Sequence, residues 1–227
     1  MWTAGPDPID PAAAWPVPII ETIVTSFSTS GARVLLAPWP TTEDAASRTA
    51  SAVELDAALD AVHALGRHPA ITKLEPTADE VPMSGEAPSD SVVSGEGVDL
   101  VITSLPPARG ADGSVEAVAI AAARTLAFGG ILAVYTHRDW SSGRLTDPSG
   151  PMIAAAQNAD LLYLQHIVTL HTPIRNGRLQ PLTVTDRPEG ARDSRELGAP
   201  TTHARAHGDV LVFAQAHADT APPEDLR

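Results

Sequence analysis

Three points along the chain place chemically useful side chains directly after apolar runs. The first is the turn after Ala32–Ala37, where Leu36 and Ala37 lead into Pro38, Trp39 and Pro40. The second is Glu75, which follows Ala70–Leu74 and precedes Pro76. The third is Ser104-Leu105-Pro106-Pro107, closing the run Asp99–Ser104. Ligands of open α/β sheets bind outside the carboxyl ends of the strands, so three such ends would face one crevice. An acid after the second strand suits the two hydroxyls of an adenosine ribose, and it equally suits the start of a solvated loop. Ser104 offers an acceptor for an amine proton. The turn after the first strand is where glycines let backbone approach a nucleotide-type ligand. Here that turn carries two prolines and a tryptophan.

Other chemistries find less support. There are eight histidines, and His203 and His207 are spaced i,i+4. Without a third ligand in register they read as solvated loop residues rather than a metal site. No phosphate-binding loop, Gly-x-Gly-x-x-Gly or Gly-x-Ser-x-Gly elbow is present. His137, Asp139 and Ser141 lie close in sequence, but a triad needs spatial roles that adjacency does not supply. Trp2, Trp15, Trp39 and Trp140 read as packing anchors.

The elements that would position these groups alternate. Residues 1–16 are rich in Pro and Ala and predict an extended arm, followed by a short helix over Ile19–Thr25. Ala32–Ala37 is continuously apolar, as expected of a strand buried on both faces of a parallel sheet. A long helix is predicted from Glu43 to Leu65, with Gly66 as its stop. Strands are expected at Ala70–Leu74, Asp99–Ser104, Ile131–Thr136, Leu161–Thr172 and Gly208–Gln215. Helices are expected at Val115–Ala127 and Pro151–Ala159. Residues 77–97 read as a mobile acidic connection, and 218–227 as an acidic tail. The pattern predicts one α/β domain over 19–217, a mostly parallel doubly wound sheet with helices on both faces.

Composition narrows the function classes. At 227 residues and 43% hydrophobic content the chain can bury a sizeable core. No run reaches the roughly 20 apolar residues of a membrane span. The N-terminus lacks signal-peptide character, so a cytoplasmic location is expected. There is no cysteine, which excludes disulfides, thiolate metal sites and a Cys nucleophile. The net charge is −13 and Lys73 is the only lysine. That balance argues against tight binding to a polyanion such as DNA.

With these residues in order, the chain resembles the S-adenosylmethionine-dependent DNA methyltransferases that modify cytosine N4 or adenine N6. Their opening His-Pro-x-Lys is matched in part by Asp10-Pro11-Ala12-Ala13. Their Val-Leu-Asp-Pro-Phe-x-Gly-x-Gly aligns with Val34 through Thr42. Ala-x-Gly-Arg and Glu-x-x-Pro are echoed by Ala64-Leu65-Gly66-Arg67 and Glu75-Pro76. The catalytic Asp-Leu-Val-x-Thr-Ser-Pro-Pro-Tyr is echoed by Asp99 through Pro107. Gly129-Gly130, Arg138, Trp140 and the closing His207-Gly208-Asp209-Val210-Leu211-Val212-Phe213 extend the likeness over nearly the whole chain. The resemblance implies a Rossmann-like methyltransferase fold with an antiparallel C-terminal hairpin. It implies S-adenosylmethionine as cofactor, held near Leu36, Pro38, Trp39 and Glu75. It places Ser104, Pro106 and Pro107 at the catalytic position.

The departures fall where chemistry would occur. Pro40 and Thr42 replace both motif glycines and should obstruct the cofactor. Either register of the catalytic motif puts Pro107 or Ala108 where an aromatic ring would stack on an extruded base. Residues 108–114 leave no room for a target-recognition module, which base flipping in duplex DNA requires. Two functions of different class remain. One is a non-catalytic regulatory or interaction protein, with an unknown protein partner and without DNA binding of its own. The other is an active S-adenosylmethionine-dependent methyltransferase with an altered pocket. The coincident losses favour the first.

Overall fold

The computed structural model describes residues 1–3, 9–39, 45–74, 97–107, 114–140, 143–179 and 206–216, with backbone only at 45–50. The elements run β1 (Trp2–Thr3), α1 (Val17–Phe27), β2 (Arg33–Ala37), α2 (Ala45–Ala64), β3 (His68–Ile71) and β4 (Val98–Leu105). They continue with α3 (Ser114–Thr125), β5 (Leu126–Thr136), α4 (Ser149–Asn158), β6 (Leu161–Leu170), β7 (Ile174–Arg175), β8 (Arg178–Leu179) and β9 (His207–Gln215).

Seven strands form one sheet in the order β1-β6-β9-β5-β4-β2-β3. All neighbours are parallel except β9, which is antiparallel to both β5 and β6. This is the Rossmann-like methyltransferase fold that the sequence predicts. The expected C-terminal hairpin takes a particular form. β9 enters between β5 and β6, and the short β7–β8 ribbon stands apart from the main sheet.

Alternation along the strands explains why helices cover both faces. Leu35, Val101, Leu132, Val134, Leu211 and Phe213 point to one side, where α3 and α4 add Val115, Val118, Ala122, Met152 and Ala156. Leu36, Leu100, Ile102, Ala133, Val210 and Val212 point to the other, where α1 and α2 add Ile20, Ile23, Leu55, Ala58 and Val62. Strands buried on both faces must be apolar at nearly every position, which is the composition read from the sequence.

Several boundaries differ from expectation for identifiable reasons. α1 begins at Val17, because Pro18 sits in its first turn, where a missing N–H costs nothing. The Pro-rich arm is anchored. Ile9 and Trp15 are buried, and Glu54 Oε2 accepts the N–H groups of Ala14 and Trp15 at 2.8 and 3.0 Å. Helix α2 ends as predicted at Gly66, whose φ of +75° suits glycine. α3 stops at Thr125 rather than Ala127, and the next strand starts directly at Leu126, which pairs with Val98. β3 spans His68–Ile71, earlier than the apolar run suggested, because His68 pairs with Arg33 at the start of β2. Of the tryptophans, Trp140 is 61% exposed and anchors nothing. No helix among the described residues is long and apolar enough to cross a membrane.

Candidate functional site

The chain reverses direction across the sheet between β2 and β4. From β2 it steps outward to β3, and then returns to the far side of β2 as β4. In doubly wound sheets the ligand crevice opens beyond the carboxyl ends of the strands that flank such a point. Two of the three regions singled out in the sequence, Pro38-Trp39 and Ser104–Pro107, therefore do meet at one edge. Glu75, Pro40 and Thr42 lie outside the described residues.

The edge is stitched by two buried hydroxyls. Thr103 Oγ1 donates to the Ala37 carbonyl at 2.8 Å, and Thr136 Oγ1 donates to the Leu105 carbonyl at 2.8 Å. These bonds tie the last residues of β2, β4 and β5 side by side and occupy carbonyls at the crevice rim. Leu36 is fully buried in the core beneath α1 and α2, opposite Ile102, so its side chain serves packing. Pro38 is half-buried.

Trp39 determines the character of this end. It is 5% exposed and packs with Leu35, Ala37, Leu74, Leu105 and Val115. Its indole Nε1–H donates to Ser114 Oγ at 3.2 Å, at the first residue of α3. A buried indole needs such a partner, and α3 supplies it. Together Trp39 and the buried Leu74 form an apolar roof over the ends of β2 and β4. Ser104, half-buried on β4, faces the opposite side of the sheet from Trp39 and stands in register with Tyr135. Pro106 and Pro107 follow it, half-buried. Among the described residues this end of the sheet presents the apolar side chains of Trp39, Leu74 and Leu105 on the α3 side.

The other half of the same edge is polar. Tyr135 Oη and His171 Nε2 lie 3.0 Å apart, both fully buried. The pair crosses β9 over Gly208, where a Cβ would come within 2.7 Å of Tyr135 Cε2 and 3.0 Å of His171 Nε2. On the α4 side, Asp209 Oδ1 and His166 Nε2 lie 2.8 Å apart, with the carboxylate almost wholly buried. His207, read from sequence as a loop histidine, instead opens β9, with its Nδ1 at 3.8 Å from the same oxygen. His203 lies outside the described residues. Sequence reasoning gives Asp209 and His166 no role. The available signal was parity, because Asp209 shares the inward phase of Leu211 and Phe213 in an otherwise apolar strand.

At the start of α4, Asp147 accepts the Ser149 N–H at 3.0 Å and Arg138 Nε–H at 2.7 Å. Partial burial raises its carboxyl pKa, but the Ser149 N–H and the Arg138 guanidinium outweigh that and hold it below the ordinary carboxylate range. No group of three or more metal-ligating residues suited to an ion occurs among the described residues.

No protein-family model matches the chain, and no curated protein matches it in sequence. Solved structures to which the chain is similar include a TehB-like S-adenosylmethionine-dependent methyltransferase from Corynebacterium glutamicum. It is 12% identical, with a TM-score of 0.40 over 90% of this chain and 88% of that one. The N-methyltransferase NodS from Bradyrhizobium japonicum, in complex with S-adenosylhomocysteine, is 10% identical with a TM-score of 0.41 over 86% and 83%. A DNA modification methylase described as putative, from Thermus thermophilus, is 10% identical with a TM-score of 0.32 over 91% and 54%. At these values the likeness bears on nothing finer than the architecture already described.

Proposed function

We propose that this protein is a methyltransferase-type scaffold that has given up cofactor binding and acts as a regulatory or interaction protein. The observation that carries the reading is the seat of Trp39, buried and hydrogen-bonded to Ser114 at the end of β2. A cofactor seated against the end of β2, where the resemblance places it, would have to displace that indole from the core. The loss of burial would cost about 3–5 kcal/mol, the range for removing a large aromatic side chain from a core. A cofactor bound micromolar gains only about 8 kcal/mol in total, so the displacement would consume much of it. The replacement of both motif glycines by Pro40 and Thr42 supports the same reading from sequence.

A second reading, an active methyltransferase with an altered pocket, is favoured by Ser104. Its position at the end of β4 keeps a hydroxyl at the crevice edge. Isothermal titration with S-adenosylmethionine separates the two. No heat and no thermal shift at millimolar cofactor is the expected outcome. Micromolar binding that Glu75→Ala abolishes would sink the proposal and favour the second reading.

A further inference from the structure

At the β5–β9–β6 end of the edge the fold leaves a carboxylate half satisfied. Asp209 lies near the start of β9, in register with Thr136, and its side chain is 2% exposed. One oxygen, Oδ1, is bonded to His166 Nε2. His207 Nδ1 approaches that oxygen only to 3.8 Å, beyond hydrogen-bond range. Asp209 Oδ2 and His207 Nδ1 are both buried and have no hydrogen-bond partner among the described residues. The surroundings are already committed. The Thr136 hydroxyl is given to Leu105, Val168 stands across from Asp209, and α4 turns Met152, Ala155 and Ala156 inward. The Arg138 guanidinium is engaged by Asp147.

A carboxylate removed from water is costly unless charge or donors answer it. One imidazole N–H answers only one of two oxygens. Buried polar atoms without partners are rare enough that each calls for an occupant or a role.

We propose that Asp209 Oδ2 is the seat of an amino group, on a small molecule carrying a primary amine in its ammonium form. An acceptor-only oxygen selects a donor and repels carboxylates and phosphates. The chain's net charge of −13 raises the local concentration of cations. His207 is the movable cover, since its side chain is 38% exposed and its Nδ1 reaches the carboxylate only at ion-pair distance, 3.8 Å from Oδ1, with no hydrogen bond. His166 holds Asp209 in place when the cover swings. The site lies on the α4 side of β6 and β9, away from the β2–β4 crevice, and does not rest on the cofactor reading.

The test is an NMR titration of the full chain with n-propylamine at physiological salt, following the imidazole resonances of His166 and His207. The expected result is a saturable one-to-one shift of both rings, absent with sodium propionate. Asp209→Asn should weaken it about tenfold or more, as expected for losing a charged hydrogen-bond acceptor. Asp147→Asn, which removes an accessible carboxylate elsewhere, should leave it unchanged. Should Asp209→Asn unfold, His207→Ala decides the matter, because uncovering Oδ2 should preserve or tighten binding read at His166. Shifts that do not saturate, equal shifts in folded Asp209→Asn, or loss of binding in His207→Ala would each overturn the proposal. An ordered water would then be the only occupant.

Discussion

At the β2–β4 end of the carboxyl edge Trp39, Leu74 and Leu105 are apolar and packed, whereas the β5–β9–β6 end is polar, with Asp209 Oδ2 and His207 Nδ1 lacking a hydrogen-bond partner among the described residues. Both ends belong to one sheet and are built by the same alternation of strand residues. They differ in the residues placed at the strand ends. After β2 the chain supplies Trp39, which turns into the core and finds Ser114. Around β9 it supplies Asp209, Tyr135 and His171, groups whose burial demands partners, and the partly exposed His166, which answers Asp209. Methyltransferase-type chemistry would need the first end open. Among the described residues Trp39 packs at the first end, and the unpartnered Asp209 Oδ2 sits at the second.

Trp39→Ala probes that contrast with the largest effect. If the indole is core, stability falls by about 3–5 kcal/mol in urea unfolding. A loss within about 0.5 kcal/mol, typical of surface positions, would show the crevice to be open and erase the contrast. Gly208→Ala tests the polar end. The new Cβ would meet the Tyr135 ring edge at 2.7 Å, so a loss of about 1–3 kcal/mol is expected. Tyr135→Phe in the same chain should not rescue it, because the clashing Cε2 remains. Tyr135→Phe alone removes the bond to His171 and should cost about 1 kcal/mol, read by thermal unfolding.

Arg138→Ala should have the smallest effect, within about 0.5 kcal/mol, because the pair with Asp147 is partly exposed. Its pH dependence has a defined sign. Asp147 has a lowered carboxyl pKa in the fold, so its contribution is present above the ordinary carboxylate value. That contribution is lost as pH falls through the folded value. The difference between wild type and Arg138→Ala should therefore shrink on acidification, which unfolding curves across the acid range would show.

Much of the fold is legible in the sequence. The strand Arg33–Ala37 is visible as an unbroken apolar run, and Gly66 marks the end of α2, since both signals are local. The boundaries that moved depend on partners. β3 starts at His68 because β2 offers Arg33 there, and α1 starts at Val17 because Pro18 is harmless in a first turn. The sequence also places Pro38-Trp39 and Ser104–Pro107 at strand ends. It does not reveal that Trp39 faces α3 while Ser104 faces the opposite side of the sheet.

The sequence by itself determined the alternation of apolar strands and helices, and with it a doubly wound sheet. It also determined the glycine-free segment Pro38-Trp39-Pro40-Thr41-Thr42 and the excess of acidic charge. Those are properties of residue type and spacing along one line. The tertiary structure alone decided that β9 enters between β5 and β6, because strand order arises from pairing between distant segments. That entry carries Asp209 to His166, 43 residues away in the chain, and lays Gly208 beneath the Tyr135–His171 pair. It also decided that Trp39 points inward, since a side chain beside a strand end turns toward the core only when a helix such as α3 supplies both apolar cover and a partner for its N–H.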